Sequence, residues 1–331
     1  MKNAVYFCNP NVWNDVYRGS VSEEVGRRVE IPATVLTREN WRQHPGLLRE
    51  AEIIVSSWGG PIVDEEFLAA APEFKLYLYG GGSIKGLMSD AAWERNVRIT
   101  SAAEANAVST AEFTLSQIIF SLKRGWEYIR LAKENSPVLW RNKPVSGMYG
   151  SNVGIVALGQ VGRKVCELLN SFDAEVLACS IDVSPEMEKE LNVTFVSMEE
   201  IFKTCDVVSI HLPSNGETRG MIGKELLSLM KPKSTLINTS RGAVVNQPEL
   251  IDFLEERPDV YACIDVTDPE PPDPDCPLLT LPNVILTPHL AGTMGRECPR
   301  LGRYMVHELD RYLAGRPLKG EVVRERADTL A

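Results

Sequence analysis

The chain has 331 residues, 44% hydrophobic content and a formal net charge of −10, long enough for two domains with cores of their own. The acidic balance and the lack of any Lys/Arg-rich run exclude nucleic acid and anionic membrane as expected partners. No segment reads as a membrane span, the start MKNAVYFCNP lacks an apolar signal core, and seven singly scattered cysteines predict reduced thiols in a cytoplasm with no metal site.

Residues 2–8 read as a strand, and Ser20 with Glu23 resembles a capping box opening a short helix. AEIIVSSW (51–58) is a second strand, Asp64 starts the helix EEFLAAA, and KLYLYGGG (75–82) is a third strand ending in glycines. GLMSDAAWERN follows as a helix and 97–102 as a strand. This alternation predicts a small parallel-sheet domain. From Asn106 to about Lys133 the pattern is one long helix, a connector. It leads into a loop containing Pro137, Pro144, Gly147 and Gly150.

The central stretch is VGIVALGQVG (153–162). Val153, Ile155, Val156 and Ala157 form a buried-strand pattern; a glycine turn and helical spacing at Val161, Val165, Leu168 and Leu169 follow. Strand, turn and helix make half of a dinucleotide-binding βαβ unit, in which a helix N-terminus and close-approaching glycines receive a pyrophosphate. The fingerprint reads Ala157-x-Gly159-x-x-Gly162, with alanine where the first glycine belongs. Further strands are predicted at 175–180, 205–212, 234–240, 261–266 and 283–288, with helices at 186–190, 198–203, 219–230 and 248–256. The second domain is therefore a doubly wound parallel sheet. A helix from Gly295 to Gly315 is expected to pack back on the first domain.

Four histidines narrow the search for a proton donor. His44 lies in a polar turn and His307 on an amphipathic helix. His211 and His289 end strands, where ligands bind in such sheets, and are the two candidates. Arg241 follows the strand of INTSRG; Asp265 ends the strand of CIDVTDPEPP and Glu270 sits in its Pro-rich turn. Arginine holds a carboxylate through parallel hydrogen bonds, and a glutamate beside an imidazole favours the imidazolium. Reduction of a 2-oxo acid needs this set: Arg241 holds the carboxylate and polarises the ketone, His289 delivers the proton, and nicotinamide delivers hydride.

GIVALGQVGRKV, CDVVSIHLPSNGETRGMI, LMKPKSTLINTSRGAVVN, IDVTDPEPP and NVILTPHLAGT, in this order and spacing, resemble the D-isomer-specific 2-hydroxyacid dehydrogenase family. The resemblance implies an α/β protein of two doubly wound parallel-sheet domains, a Rossmann-type nucleotide domain (101–292) inserted in a smaller flavodoxin-like substrate domain (1–100 and 293–331). It implies a homodimer built around the nucleotide domains, with Arg241, Glu270 and His289 catalytic. Gly159, Gln160, Val161 and Gly162 would meet the pyrophosphate, and His211, Leu212 and Thr218 the adenosine side. Thr239, Ser240, Asp265, Ala291 and Thr110 would surround the nicotinamide. Asn106, Gly81, Gly82 and Trp58, with Arg241, would hold the substrate.

The usual ribose-binding acid is replaced by Ser180, with Asp182 two residues later; no cation follows at once, which favours NAD over NADP. Lys85, after the glycine loop, stands where an extra anionic group would reach it or in solvent. The expected activity is an NAD(P)-dependent D-2-hydroxyacid dehydrogenase of the glyoxylate or hydroxypyruvate reductase kind. A dinucleotide-sensing, corepressor-like interaction protein and a formate or phosphite dehydrogenase of the same fold are the alternatives. Formate relatives pair their histidine with glutamine, where this chain has Glu270.

Overall fold

The computed structural model describes residues 1–134 and 145–327; Pro137 and Pro144 of the expected inter-domain loop lie outside them. The chain divides into two compact units: Met1–Asn106 with the segment from Thr293 onward, and Ala107–Gly292. The passage falls six residues beyond the expected 100/101 boundary, inside a helix (Ala103–Leu122) that starts in one unit and ends in the other.

The first unit is built on strands β1 (Ala4–Phe7), β2 (Val35–Leu36), β3 (Ile53–Ser56), β4 (Leu76–Tyr79) and β5 (Arg98–Ser101). The second is built on β6 (Asn152–Val156), β7 (Glu175–Cys179), β8 (Thr194–Phe195), β9 (Val207–Ile210), β10 (Thr235–Asn238), β11 (Tyr261–Ile264) and β12 (Val284–Leu286); β13 (Glu321–Val322) returns to the first. Short runs such as IIVS, VVSI and YACI are buried along their whole length, as strands covered on both faces must be.

The first sheet has the order β13-β5-β4-β3-β1-β2. It is parallel except at one edge, where β13 pairs antiparallel with β5 (Glu321 opposite Thr100). The strands expected from the sequence are thus parallel, and β13 is an unanticipated antiparallel addition. The second has the order β12-β11-β10-β9-β6-β7-β8, parallel throughout, and reverses direction at β6. Such a reversal opens a crevice at the carboxyl ends of the strands.

Several helix expectations need correction. Ser20 does not cap its helix: Ser20–Gly26 starts on that residue, behind Gly19, with no side-chain cap. The connector is two helices, Ala103–Leu122 and Gly125–Lys133, because Arg124 turns into the left-handed region (φ 51°) and the Phe120 and Trp126 rings pack 4.4 Å apart across the break. The helix expected over 219–230 shrinks to Lys224–Leu227, since Gly220 is left-handed (φ 63°) and Gly223 caps what remains. The helix Pro10–Val16 was not anticipated; Asn9 caps it and Pro10 opens it. Asp64 does cap its helix, accepting the Phe67 N–H at 2.9 Å. The terminal helix runs Pro299–Leu313 and buries Leu301, Met305, Val306 and Leu309 in the core of the first unit. No helix among the described residues is long and apolar enough to cross a membrane.

Candidate active site

In the second unit the predicted site residues, apart from Thr110 on the helix Ala103–Leu122, stand at or just past the carboxyl ends of the parallel strands, or in the turns and the helix start that leave them. Past β6, Ala157 takes a left-handed backbone (φ 74°), the conformation that the first glycine of the fingerprint supplies without cost. Its N–H is held by the Cys179 carbonyl at 2.8 Å. Gly159 caps the helix Gln160–Leu169 and offers it no side chain, so the N–H groups of Gln160 and Val161 have no side-chain cap. A Cβ at Gly159 meets no protein atom within 4 Å, whereas one at Gly162 would lie 2.2 Å from the Ala157 carbonyl oxygen. Gly162 is thus needed for packing, and Gly159 opens a cradle toward solvent that fits a pyrophosphate.

Past β7, Ser180 is half-buried and Asp182 exposed. Past β9, His211 is buried, with Nε2 3.0 Å from Ser209 Oγ and Nδ1 without a hydrogen-bond partner among the described residues. Burial pushes its pKa down to about 4, so it is a neutral imidazole near neutral pH. Full burial beside a neutral hydroxyl disfavours it as the proton donor of the two candidate histidines. Its orphaned nitrogen fits a polar ligand group. Leu212 is buried beside it, and Thr218 Oγ1 closes the following turn by donating to the Pro213 carbonyl at 2.5 Å.

Past β10, Thr239 Oγ1 lies 2.9 Å from Thr114 Oγ1, and Ser240 and Arg241 form the turn. Arg241 Nη1 donates to the Ser240 carbonyl at 2.6 Å. Burial lowers the guanidinium below its ordinary range, and the negative charge of Glu270 pulls it back up. The turn is gripped by Asn238, whose side chain bonds Ser240 and the Arg241 carbonyl.

Past β11, Asp265 is buried and its carboxylate holds the loop that follows β12. Oδ1 accepts the Thr287 hydroxyl (2.6 Å) and the Leu290 N–H (2.9 Å); Oδ2 accepts the Ala291 N–H (3.0 Å). The backbone of that loop carries His289 at φ 52°, a left-handed conformation that a histidine keeps only when its surroundings enforce it. Asp265 is that enforcement, together with its own carbonyl, which accepts the His289 N–H at 2.9 Å. The imidazole then meets Glu270, with Nδ1 to Oε1 at 2.5 Å. Residues 19 positions apart in sequence form one acid–imidazole pair.

The remaining predicted residues are placed as follows. Thr110 and Ala291 are buried in the second unit. In the first unit, Trp58 is 37% exposed on a loop whose carbonyl accepts the Asn9 N–H at 3.1 Å. Gly81 and Gly82 are buried, their carbonyls accepting from Ser101 Oγ. Asn106 Oδ1 accepts the Thr293 N–H at 3.2 Å, and Lys85 is exposed. The sequence reading overlooked Asn238 as a site residue, and it assigned Asp265 to the coenzyme without seeing its hold on the histidine loop. The available signal was a polar residue closing the buried strand TLIN.

Comparison with known proteins shows the family. Residues 116–291 match the model of the D-isomer specific 2-hydroxyacid dehydrogenase, NAD binding domain. A glyoxylate reductase of Korarchaeum cryptofilum is 31% identical over 81% of this chain and 81% of its own length. A D-3-phosphoglycerate dehydrogenase of Archaeoglobus fulgidus is 29% identical over 78% of this chain; the match spans about half (49%) of that relative's length. The crystal structure of D-mandelate dehydrogenase from Rhodotorula graminis superposes with a TM-score of 0.82, covering 98% of each chain at 22% identity. By its matched domain and by this coverage, the chain belongs to the D-isomer specific 2-hydroxyacid dehydrogenase family.

Proposed function

We propose that this protein is an NAD-dependent oxidoreductase that interconverts a 2-oxo acid and a D-2-hydroxy acid. The observation that carries this reading is the Glu270–His289 pair at 2.5 Å, set in the same unit as a half-buried Arg241 on which the Glu270 charge acts. The nicotinamide coenzyme, when bound, supplies or accepts the hydride. Gly159, Gln160 and Val161 would receive its pyrophosphate on the uncapped helix end, and Ser180 and Asp182 would face its ribose, where an acid and no adjacent cation favour NAD over NADP.

The chain's own residues do the rest. Arg241 gives Nη1 to the Ser240 carbonyl, which leaves Nε and Nη2 to pair with the substrate carboxylate and to draw charge from the adjacent ketone. With Nδ1 turned to Glu270, Nε2 of His289 is the nitrogen that passes its proton to the oxo oxygen as the hydride reaches the carbon; in the reverse direction it takes the hydroxyl proton. Glu270 balances the charge on the imidazolium before the proton leaves. Trp58, Gly81, Gly82 and Asn106 are proposed as the first unit's own substrate-binding residues.

A homodimer in the cytoplasm is part of the same reading. It is supported by exposed Ile129, Val145 and Tyr149 in the nucleotide unit and by seven cysteines that are all free thiols.

The test is consumption of NADH by a panel of glyoxylate, hydroxypyruvate and larger 2-oxo acids. Turnover is expected with at least one, and His289→Ala should slow it by roughly 10²- to 10⁴-fold. Full activity in that variant would remove the mechanism.

A further inference from the structure

Asn238 closes β10 with its side chain buried (1% exposed), between Ile210 and Ile264 on the flanking strands. A carboxamide sunk in a parallel sheet must find partners for both of its ends. It does so entirely within the turn that follows. Oδ1 accepts the Ser240 N–H at 3.1 Å and the Ser240 hydroxyl at 2.8 Å, while Nδ2 donates to the Arg241 carbonyl at 3.0 Å. One side chain therefore clasps the two residues that follow Thr239, and the second of them carries the guanidinium.

The other side of Arg241 is fixed as well. A Cβ at Gly242 would lie 2.1 Å from the Thr267 carbonyl, so the chain after Arg241 lies flush against the turn that leads to Glu270. Free rotation at Arg241 is blocked behind by Asn238 and ahead by Thr267. The Ser240 carbonyl, which receives Arg241 Nη1, belongs to a residue whose N–H and hydroxyl Asn238 holds.

We propose that Asn238 is a positioning residue for Arg241: its carboxamide sets the direction in which the guanidinium meets the substrate carboxylate. The role requires an acceptor and a donor on one short side chain. Aspartate keeps the acceptor for Ser240 and, when ionised, turns a second acceptor toward the Arg241 carbonyl. Alanine removes both. The proposal rests on Arg241 being the carboxylate partner, as argued above.

Asn238→Asp and Asn238→Ala are compared with the wild type in three measurements. Hydrogen exchange of the segment 239–242 needs no turnover. It should quicken in Asn238→Ala and less in Asn238→Asp, which retains the Ser240 acceptor; unchanged exchange in both would overturn the clasp. In steady state kcat/KM for the oxo acid should fall roughly 10- to 100-fold, mainly through KM, with NADH affinity within about twofold of wild type. In an Arg241→Lys background the same substitutions should cost little further, because they act through the group already changed. Equal losses in both backgrounds, or NADH affinity falling in step with kcat/KM, would make Asn238 a merely structural residue and overturn the proposal. Should Asn238→Ala fail to fold, the isosteric Asn238→Asp carries the same test. A wild type that reduces no oxo acid would sink the proposed function and leave the exchange result to judge the clasp.

Discussion

His211 and His289 both follow strands of one sheet, and their surroundings give them opposite chemistry. His289 has a carboxylate at 2.5 Å. His211 has a serine hydroxyl, no charge and full burial, which drives its pKa to about 4. This is a stability statement with a definite sign. The unfolded chain's histidine takes up a proton as pH falls through about 6.5, while the folded one resists until about 4. Folding stability is therefore complete above pH ~6.5 and is lost progressively down to pH ~4, by roughly 3 kcal/mol in total. Asp259 and Asp310, held low by Arg257 and Arg28, add their own losses only at or below the ordinary carboxylate range. Urea midpoints of the coenzyme-free protein should fall between pH 7 and 5, and His211→Gln should flatten that slope. An equal slope in the variant would show that His211 is not the group responsible.

At the scale of elements, the glycine turn departs most from its template and yet keeps its backbone. Ala157 adopts φ 74° and its Cβ is strained there. A left-handed alanine costs roughly 1–2 kcal/mol, and glycine returns part of that as unfolded-state entropy, so Ala157→Gly should stabilise the protein by roughly 0.5–1 kcal/mol. A rise in the denaturation midpoint checks this; a fall would mean that the methyl group packs to more effect than its strain costs. The same turn shows what sequence reading reaches. Strand, turn and helix were legible because buried parallel strands are short apolar runs and the helix repeats every three to four residues. The break at Arg124 was not, since no helix-breaking proline marks it and the Phe120–Trp126 contact that accompanies it is tertiary. Nor was the two-residue strand Val35–Leu36, too short to carry a period.

At the scale of the whole chain, the two parallel sheets followed from alternating strands and helices, while the split of the first domain around the second was implied only by the family resemblance. The antiparallel edge at β13 did not, because two residues, Glu321 and Val322, carry no directional signal. Arg241, Glu270 and His289 were legible as strand-end residues of complementary chemistry. Asn238 and the loop-holding function of Asp265 were hidden, because spacing does not tell where a buried carboxamide or carboxylate points. In the proposed mechanism Glu270 and His289 act as one proton-transfer unit rather than as two separate contributors. A double-mutant cycle on kcat/KM for a 2-oxo acid tests it most directly, using Glu270→Gln, His289→Ala and the combined variant. If the pair is one unit, the combined variant should be no more than about threefold worse than His289→Ala alone. Losses that multiply, each residue contributing independently of the other, would contradict it.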